Sequence, residues 1–140
     1  MQNLKAIMTP YVESITPEST VQDAAMKMKD LNVGAIPVCD EGVLLGIVTD
    51  RDLVVRVVAE GRDQKEVTVR EVMSPDIVYC SEDDDTEKAA RMMADRQIRR
   101  LPILSREEKL VGIIALADLA TRGNEARSSC EVLEQVSKPI

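Results

Sequence analysis

Thr49 and Asp52 stand three residues apart where an apolar run, Val43 to Val48, gives way to a helical pattern. A carboxylate at that place can accept hydrogen bonds from two neighbouring hydroxyls of a sugar. A threonine hydroxyl beside it can bond sugar or phosphate. The first turn of a helix adds unpaired N–H groups and partial positive charge, which favour an anion. The same Thr-x-x-Asp spacing is also a capping-box variant, in which both side chains serve the helix itself. The two roles are compatible. Asp118 repeats the pattern later in the chain, with Ala115 in place of the hydroxyl residue. Losing one hydrogen bond costs about 0.5–1.5 kcal/mol, which weakens such a site without abolishing it. Arg99 and Arg100 precede a second apolar run at Leu101. An arginine fork suits phosphate because it donates two parallel bonds. The pair can equally lie solvated with its carbon stems over a sheet. Arg51 presents the same two options beside Thr49.

Other chemistries lack their residues. The 140-residue chain has no histidine, and so lacks the commonest metal ligand and general base. Its three cysteines, Cys39, Cys80 and Cys130, are widely spaced and match no zinc motif or disulfide framework. Cys39 and Cys80 are read as small strand hydrophobes. There is no glycine-rich phosphate loop and no nucleophile with a neighbouring base. The run Glu82-Asp83-Asp84-Asp85 lacks the spacing of a calcium loop and reads as a solvated helix start, capped by Asp84 or Asp85. No catalytic residue, catalytic cofactor or metal site is therefore expected. A formal net charge of −7 and 1% aromatic residues argue against nucleic acid. No apolar stretch approaches the roughly 20 residues of a membrane span, and the first ten residues do not resemble a signal peptide. The expected location is the cytoplasm.

The chain repeats itself. Met8-Thr9-Pro10 recurs as Met73-Ser74-Pro75, and at the same offset Ala24-Ala25 meets Ala89-Ala90, Met28 meets Met93 and Pro37 meets Pro102. One residue later in register, Gly46-Ile47 meets Gly112-Ile113 and Asp52-Leu53 meets Asp118-Leu119. Such self-similarity marks a repeat architecture. The expected division is one repeat over 1–66 and another over 67–123. Residues 124–140 form a capping helix or tail, because Leu133 to Pro139 resembles the leading segment of both repeats.

Each repeat predicts the order β-α-β-β-α, an α/β (α+β) fold. In the first, an extended segment over Val12 to Ile15 precedes a helix over Thr20 to Leu31. Ser19 is its expected cap, with Gln22 as partner. Val21, Ala24, Ala25, Met28 and Leu31 share its apolar face. Strands follow over Ala35 to Cys39 and Val43 to Val48, joined by the turn Asp40-Glu41-Gly42. The second repeat places its extended segment at Ile77 to Cys80 and its strands at Leu101 to Leu104 and Leu110 to Ile114. Each closing helix ends at a glycine, Gly61 or Gly123. The segment Leu53-Val-Val-Arg-Val-Val58 is too apolar, and too rich in valine, to stand alone as a helix. It predicts burial against the other repeat or a second chain.

The leading Met-Ser/Thr-Pro, the strand Gly34-Ala-Ile-Pro-Val38 and the run Gly46-Ile-Val-Thr-Asp-Arg-Asp-Leu53 together resemble the CBS domain family, named after cystathionine β-synthase. Arg99-Arg-Leu-Pro-Ile103 and Gly112-Ile-Ile-Ala-Leu-Ala-Asp-Leu119 are the second copy of the pattern. The resemblance covers almost the whole chain. It implies two repeats related by a pseudo-twofold axis, a Bateman-type module with two clefts. It also implies an adenosine ligand: AMP, ADP or ATP, or else NAD or S-adenosylmethionine. Asp52 and Asp118 would then contact ribose, and Arg99 and Arg100 phosphate. One cleft would join Asp118, Arg99 and Arg100 to Ile15, Thr16, Gly34 and Ala35. The other would join Thr49, Asp52 and Arg51 to Cys80, Ser81 and the backbone from Ile98 to Arg100. With no Phe or Trp in the chain, adenine would rest between aliphatic side chains such as Ile15, Ile36, Ile47 or Ile113.

The resemblance thus implies a regulatory nucleotide-sensing module rather than an enzyme, forming a homodimer and signalling to an effector protein. The alternative is an interaction or dimerisation module with vestigial clefts, an idea that Ala115 favours.

Overall fold

In a computed structural model, residues 2–10, 12–75, 77–121 and 135–136 are described. They form β1 (Thr9–Pro10), α1 (Val21–Leu31), β2 (Ala35–Asp40), β3 (Val43–Thr49), α2 (Asp50–Leu53), α3 (Val69–Val72), β4 (Cys80–Ser81), α4 (Thr86–Arg96), β5 (Arg100–Leu104), β6 (Leu110–Ala115) and α5 (Leu116–Thr121). A π-helical turn, Val54–Val58, continues α2, and a 3-10 turn covers Leu4–Ala6. The fold is mixed α and β. Two compact units divide it: Glu13–Ile77, here the first unit, and Met1–Val12 with Val78–Ile140, the second.

In the first unit, β2 and β3 form an antiparallel hairpin with Ala35 opposite Thr49. Its turn is legible from Glu41 and Gly42, which both take positive φ, 50° and 83°. Tight hairpin turns demand that conformation, and glycine adopts it freely. Ile15 pairs with Val38 on the far side of β2, and Ser74 pairs with Ile47 on the far side of β3. Helix α1 covers this small sheet through Val21, Ala24 and Met28, which are buried. Ala25 and Leu31 were expected on that face and are exposed. The buried stripe runs 21, 24, 28, and Asn32 turns left-handed immediately after Leu31. The cap is also one residue later than the pattern suggested. Thr20 accepts from the Asp23 amide at 3.2 Å. Ser19 is already committed: its amide donates to Thr16, its hydroxyl lies 2.7 Å from that of Thr16, and its carbonyl accepts from Val69.

The valine run departs most from expectation. Only Val57 is buried, at 3%, whereas Val54, Val55 and Val58 are 58%, 45% and 69% exposed in the chain. Gly61 ends the segment with φ +65°, and its amide donates to the Val58 carbonyl. The corresponding Gly123 lies outside the described residues.

The second unit holds a sheet in the order β1-β6-β5-β4. The hairpin β5–β6 is antiparallel, β4 runs parallel to β5, and β1 pairs antiparallel with β6. Helix α4 is capped by Asp85, which accepts from Lys88, as the acidic run suggested. It buries Ala89, Ala90 and Met93. Of the C-terminal tail, only Gln135 and Val136 are described. Val136 packs against this unit's core, and the Gln97 side chain donates to the Gln135 carbonyl at 3.1 Å. The rest of the expected capping helix lies outside the described residues.

The compact units and the sequence repeats do not share boundaries. In the second unit the amides of Leu4 and Lys5 donate to the carbonyls of Asp84 and Glu82, and Thr86 donates to Gln2. In the first unit Val69 and Arg70 donate to Ser19 and Pro17, and Val21 donates to Val67. The two sets occupy matching positions in the repeat. Each leading segment therefore sits on the body of the other repeat. Two glycines permit the close approach. A Cβ on Gly46 would strike the Ser74 carbonyl, and one on Gly112 would come within 2.9 Å of the Thr9 carbonyl. The motif Met-Ser/Thr-Pro and the strand glycine are thus two halves of one joint.

Candidate ligand-binding site

The first corner lies where β3 hands over to α2. Thr49 is extended and caps the helix: its Oγ1 accepts from the Asp52 amide at 3.2 Å. Asp52 Oδ2 returns the bond by accepting from the Thr49 amide at 2.9 Å. The full capping box is formed. The Asp52 side chain is only 15% exposed, and Arg56 Nε stands 3.8 Å from its Oδ1. Beside it the Asp50 amide donates to the Gly34 carbonyl at 2.9 Å. A Cβ on Gly34 would stand 3.1 Å from Asp50 Oδ2, so glycine suits this contact. Arg51 is exposed, and its amide donates to Asp50 Oδ1.

The second corner, between β6 and α5, is built alike. Asp118 Oδ2 accepts from the Ala115 amide at 2.8 Å. Ala115 has no hydroxyl to complete the box. The Leu116 amide donates to the Arg99 carbonyl at 2.8 Å, the counterpart of the Asp50–Gly34 bond. Arg99 and Arg100 are exposed, and Arg100 pairs with Ala115 across the hairpin. Where the first corner offers glycine and an acidic neighbour, the second offers two guanidinium groups.

The remaining candidates divide by unit. Ile15 and Ile36 are buried in the core of the first unit, and Ile47 and Ala35 are half-buried on its hairpin. Thr16 is exposed, with its hydroxyl shared with Ser19. Within this unit β2 separates Ile15 and Thr16 from the Thr49 corner. Ile113 is half-buried on β6, opposite Pro102 and Thr9. Cys80 and Ser81 lie on β4, across β5 from the Asp118 corner. The Ser81 hydroxyl accepts from the Asp83 amide, and its own amide donates to Asp84 Oδ2. Cys80 is a core residue, with Sγ 3.3 Å from the sulfur of Met92. Burial pushes its thiol up to about 11, and burial also raises that of Cys39. Both side chains behave as the small hydrophobes expected. Cys130 lies outside the described residues. Among the described residues no group of three acidic or cysteine side chains could hold a metal, and no helix is long and apolar enough to cross a membrane.

Sequence reasoning passed over Arg56. The signal was present, since Asp52 and Arg56 stand four apart on a helical segment and face each other.

The chain as a whole has relatives among known proteins. The CBS domain profile matches residues 4–59 and 69–124, and the chain belongs to the CBS domain family as a tandem pair. It is 44% identical to the CBS domain-containing protein YhcV of Bacillus subtilis over 98% of this chain and 96% of that one. It is similar in structure to Hypoxic Response Protein I, solved with two coordinated zinc ions. That likeness has a TM-score of 0.79 and 32% identity, over 87% of this chain and 99% of the other. A second similar structure is CBSX2 in complex with AMP, with a TM-score of 0.77 over 91% of this chain and 99% of that one. At 23% identity, it is a likeness of fold alone.

Proposed function

We propose that this chain is a regulatory module that binds an adenosine-containing ligand and passes the signal to a partner protein, without catalysing a reaction. AMP, ADP and ATP are the first candidates, with NAD and S-adenosylmethionine next. The observation that carries the reading is the repeated corner. Asp52 and Asp118 each spend one carboxylate oxygen on a backbone amide at the end of a strand. That bond fixes the carboxylate in place. A fixed carboxylate at a helix's first turn suits the paired hydroxyls of a ribose. Arg99 and Arg100 give the Asp118 corner the chemistry for phosphate. The AMP found with a protein of the same fold is consistent with this choice. Ile15, Ile36 and Cys80 are buried, so any part they take in binding is through their backbone. Acting in the cytoplasm belongs to the same proposal.

A thermal-shift panel of the five compounds tests the reading. A true ligand at one hundred times its Kd stabilises the fold by about 2.7 kcal/mol. No shift with any compound would refute it.

A second reading draws on the valine run. Val54, Val55 and Val58 together present an apolar face left uncovered by the described residues. A homodimer closed over that face, indifferent to every nucleotide, would make this an assembly module. Sedimentation with and without AMP separates the two.

A further inference from the structure

We propose that Arg56 is a positioning residue that couples occupancy of the Asp52 corner to the hold on α3. The inference rests on the adenosine reading above. Arg56 makes two contacts in different directions. Its Nε stands 3.8 Å from Asp52 Oδ1, and its Nη1 donates to the Val72 carbonyl at 3.1 Å. Val72 ends α3, where a helix leaves its carbonyls without internal partners. Two residues on, Ser74 exchanges both backbone bonds with Ile47, at 2.9 and 3.2 Å. Ile47 lies on the strand that ends at Thr49. The segment Val72–Ser74 is thus held by β3 and by Arg56, and it leads directly to the end of the first unit at Ile77.

The guanidinium is rigid and planar, so its two contacts are set together. Asp52 Oδ2 is occupied by the Thr49 amide. The oxygen left without a backbone bond is Oδ1, which Arg56 faces, so a sugar hydroxyl approaching there meets the guanidinium. Ligand and Arg56 therefore compete for one atom. As the ligand wins, Arg56 shifts, and its bond to Val72 is lost. Linkage makes the effect reciprocal: whatever tightens the α3 segment weakens the ligand. The second repeat carries Arg122 at the matching register, outside the described residues.

The test uses the full chain, AMP titration by calorimetry, and amide hydrogen exchange at residues 72–74. In the unaltered chain AMP should speed exchange there by about two- to fivefold, the size expected of an exposed charge contact. Arg56→Met should speed exchange without ligand, abolish the response to AMP, and bind AMP about two- to fivefold more tightly. Arg56→Lys keeps a charge beside Asp52 but cannot span both partners. It should lose the response and bind AMP more tightly than the unaltered chain, by less than Arg56→Met does. Melting scans confirm that each variant is folded, and the lysine variant serves if the methionine variant is not. Weaker AMP binding by Arg56→Met, or an undiminished exchange response in either variant, would overturn the coupling. So would AMP binding to the unaltered chain with no response at 72–74, which leaves the adenosine reading intact. Failure of that chain to bind AMP at all would overturn the coupling and count against the reading itself.

Discussion

Asp52 and Asp118 each serve the fold in a way that suits the ligand role proposed for them. Each carboxylate spends an oxygen on the backbone of its own corner, so it is held in place before anything binds. The capping half of that reading was visible in the Thr-x-x-Asp spacing and is formed at Thr49. The roles of neighbouring residues were not, because they depend on which polar groups the turn before each helix has already claimed. Thr86 poses the opposite case. It is fully buried, and its hydroxyl has no hydrogen-bond partner among the described residues. The first repeat carries Val21 at the matching position, likewise buried. Thr86→Val keeps the shape and removes the orphan hydroxyl, so it should stabilise the chain by about 1 kcal/mol. A higher denaturant midpoint with an unchanged slope would bear this out. Cys80 gives a pH signature. Its thiol rises from an ordinary 9.0 to about 11 in the fold. Between those values the unfolded chain loses the proton while the native one keeps it. The contribution is therefore fully present below pH 9 and is lost as pH climbs towards 11. Melting scans across that window should show a decline that Cys80→Ala reduces.

At the scale of elements, the hydrophobic rhythm located the strands well. The apolar runs at Ala35, Val43, Leu101 and Leu110 each became a strand within a residue or two of the expected ends. The helix face was less legible, because Ala25 and Leu31 continue the pattern past the stretch that packing covers. The motif glycines Gly46 and Gly112 stood out in the repeat, but their reason did not. They admit the backbone of a segment far away in sequence, and no local pattern reveals that. Gly46→Ala and Gly112→Ala should each destabilise by about 1–3 kcal/mol, as overpacking does when the obstacle is backbone. Gly61→Ala is the control for lost glycine flexibility, since a Cβ there meets nothing within 4 Å. Its own cost comes only from the strain of φ +65°. Urea unfolding of the three variants ranks the causes. Equal losses at Gly46 and Gly61 would contradict the steric account.

For the whole molecule, the repeat occurs twice in sequence and is cut differently in space. The order of motifs predicted two copies, and two compact units are present. The exchange of leading segments was hidden because it rests on pairings such as Ile47 with Ser74 and Gly112 with Pro10, which are distant in sequence. A fragment cut by the structure, 13–77, retains α3, with Val69 and Val72 in its core. A fragment cut by the sequence repeat, 1–66, lacks them. The first should resist proteolysis longer and show more helix by circular dichroism. The reverse order would mean that the exchanged segments contribute little to either core.

The most direct test of the adenosine reading is calorimetric titration of AMP into the unaltered chain and into the Asp52→Asn, Asp118→Asn double variant. Asparagine can still accept the backbone bond at each corner while giving up the charge. The expected result is saturable binding by the unaltered chain and at least about tenfold weaker binding by the double variant, a loss of about 1.4 kcal/mol. Undiminished AMP binding by the double variant would contradict the account, because the ligand would then be held without the two carboxylates on which it depends.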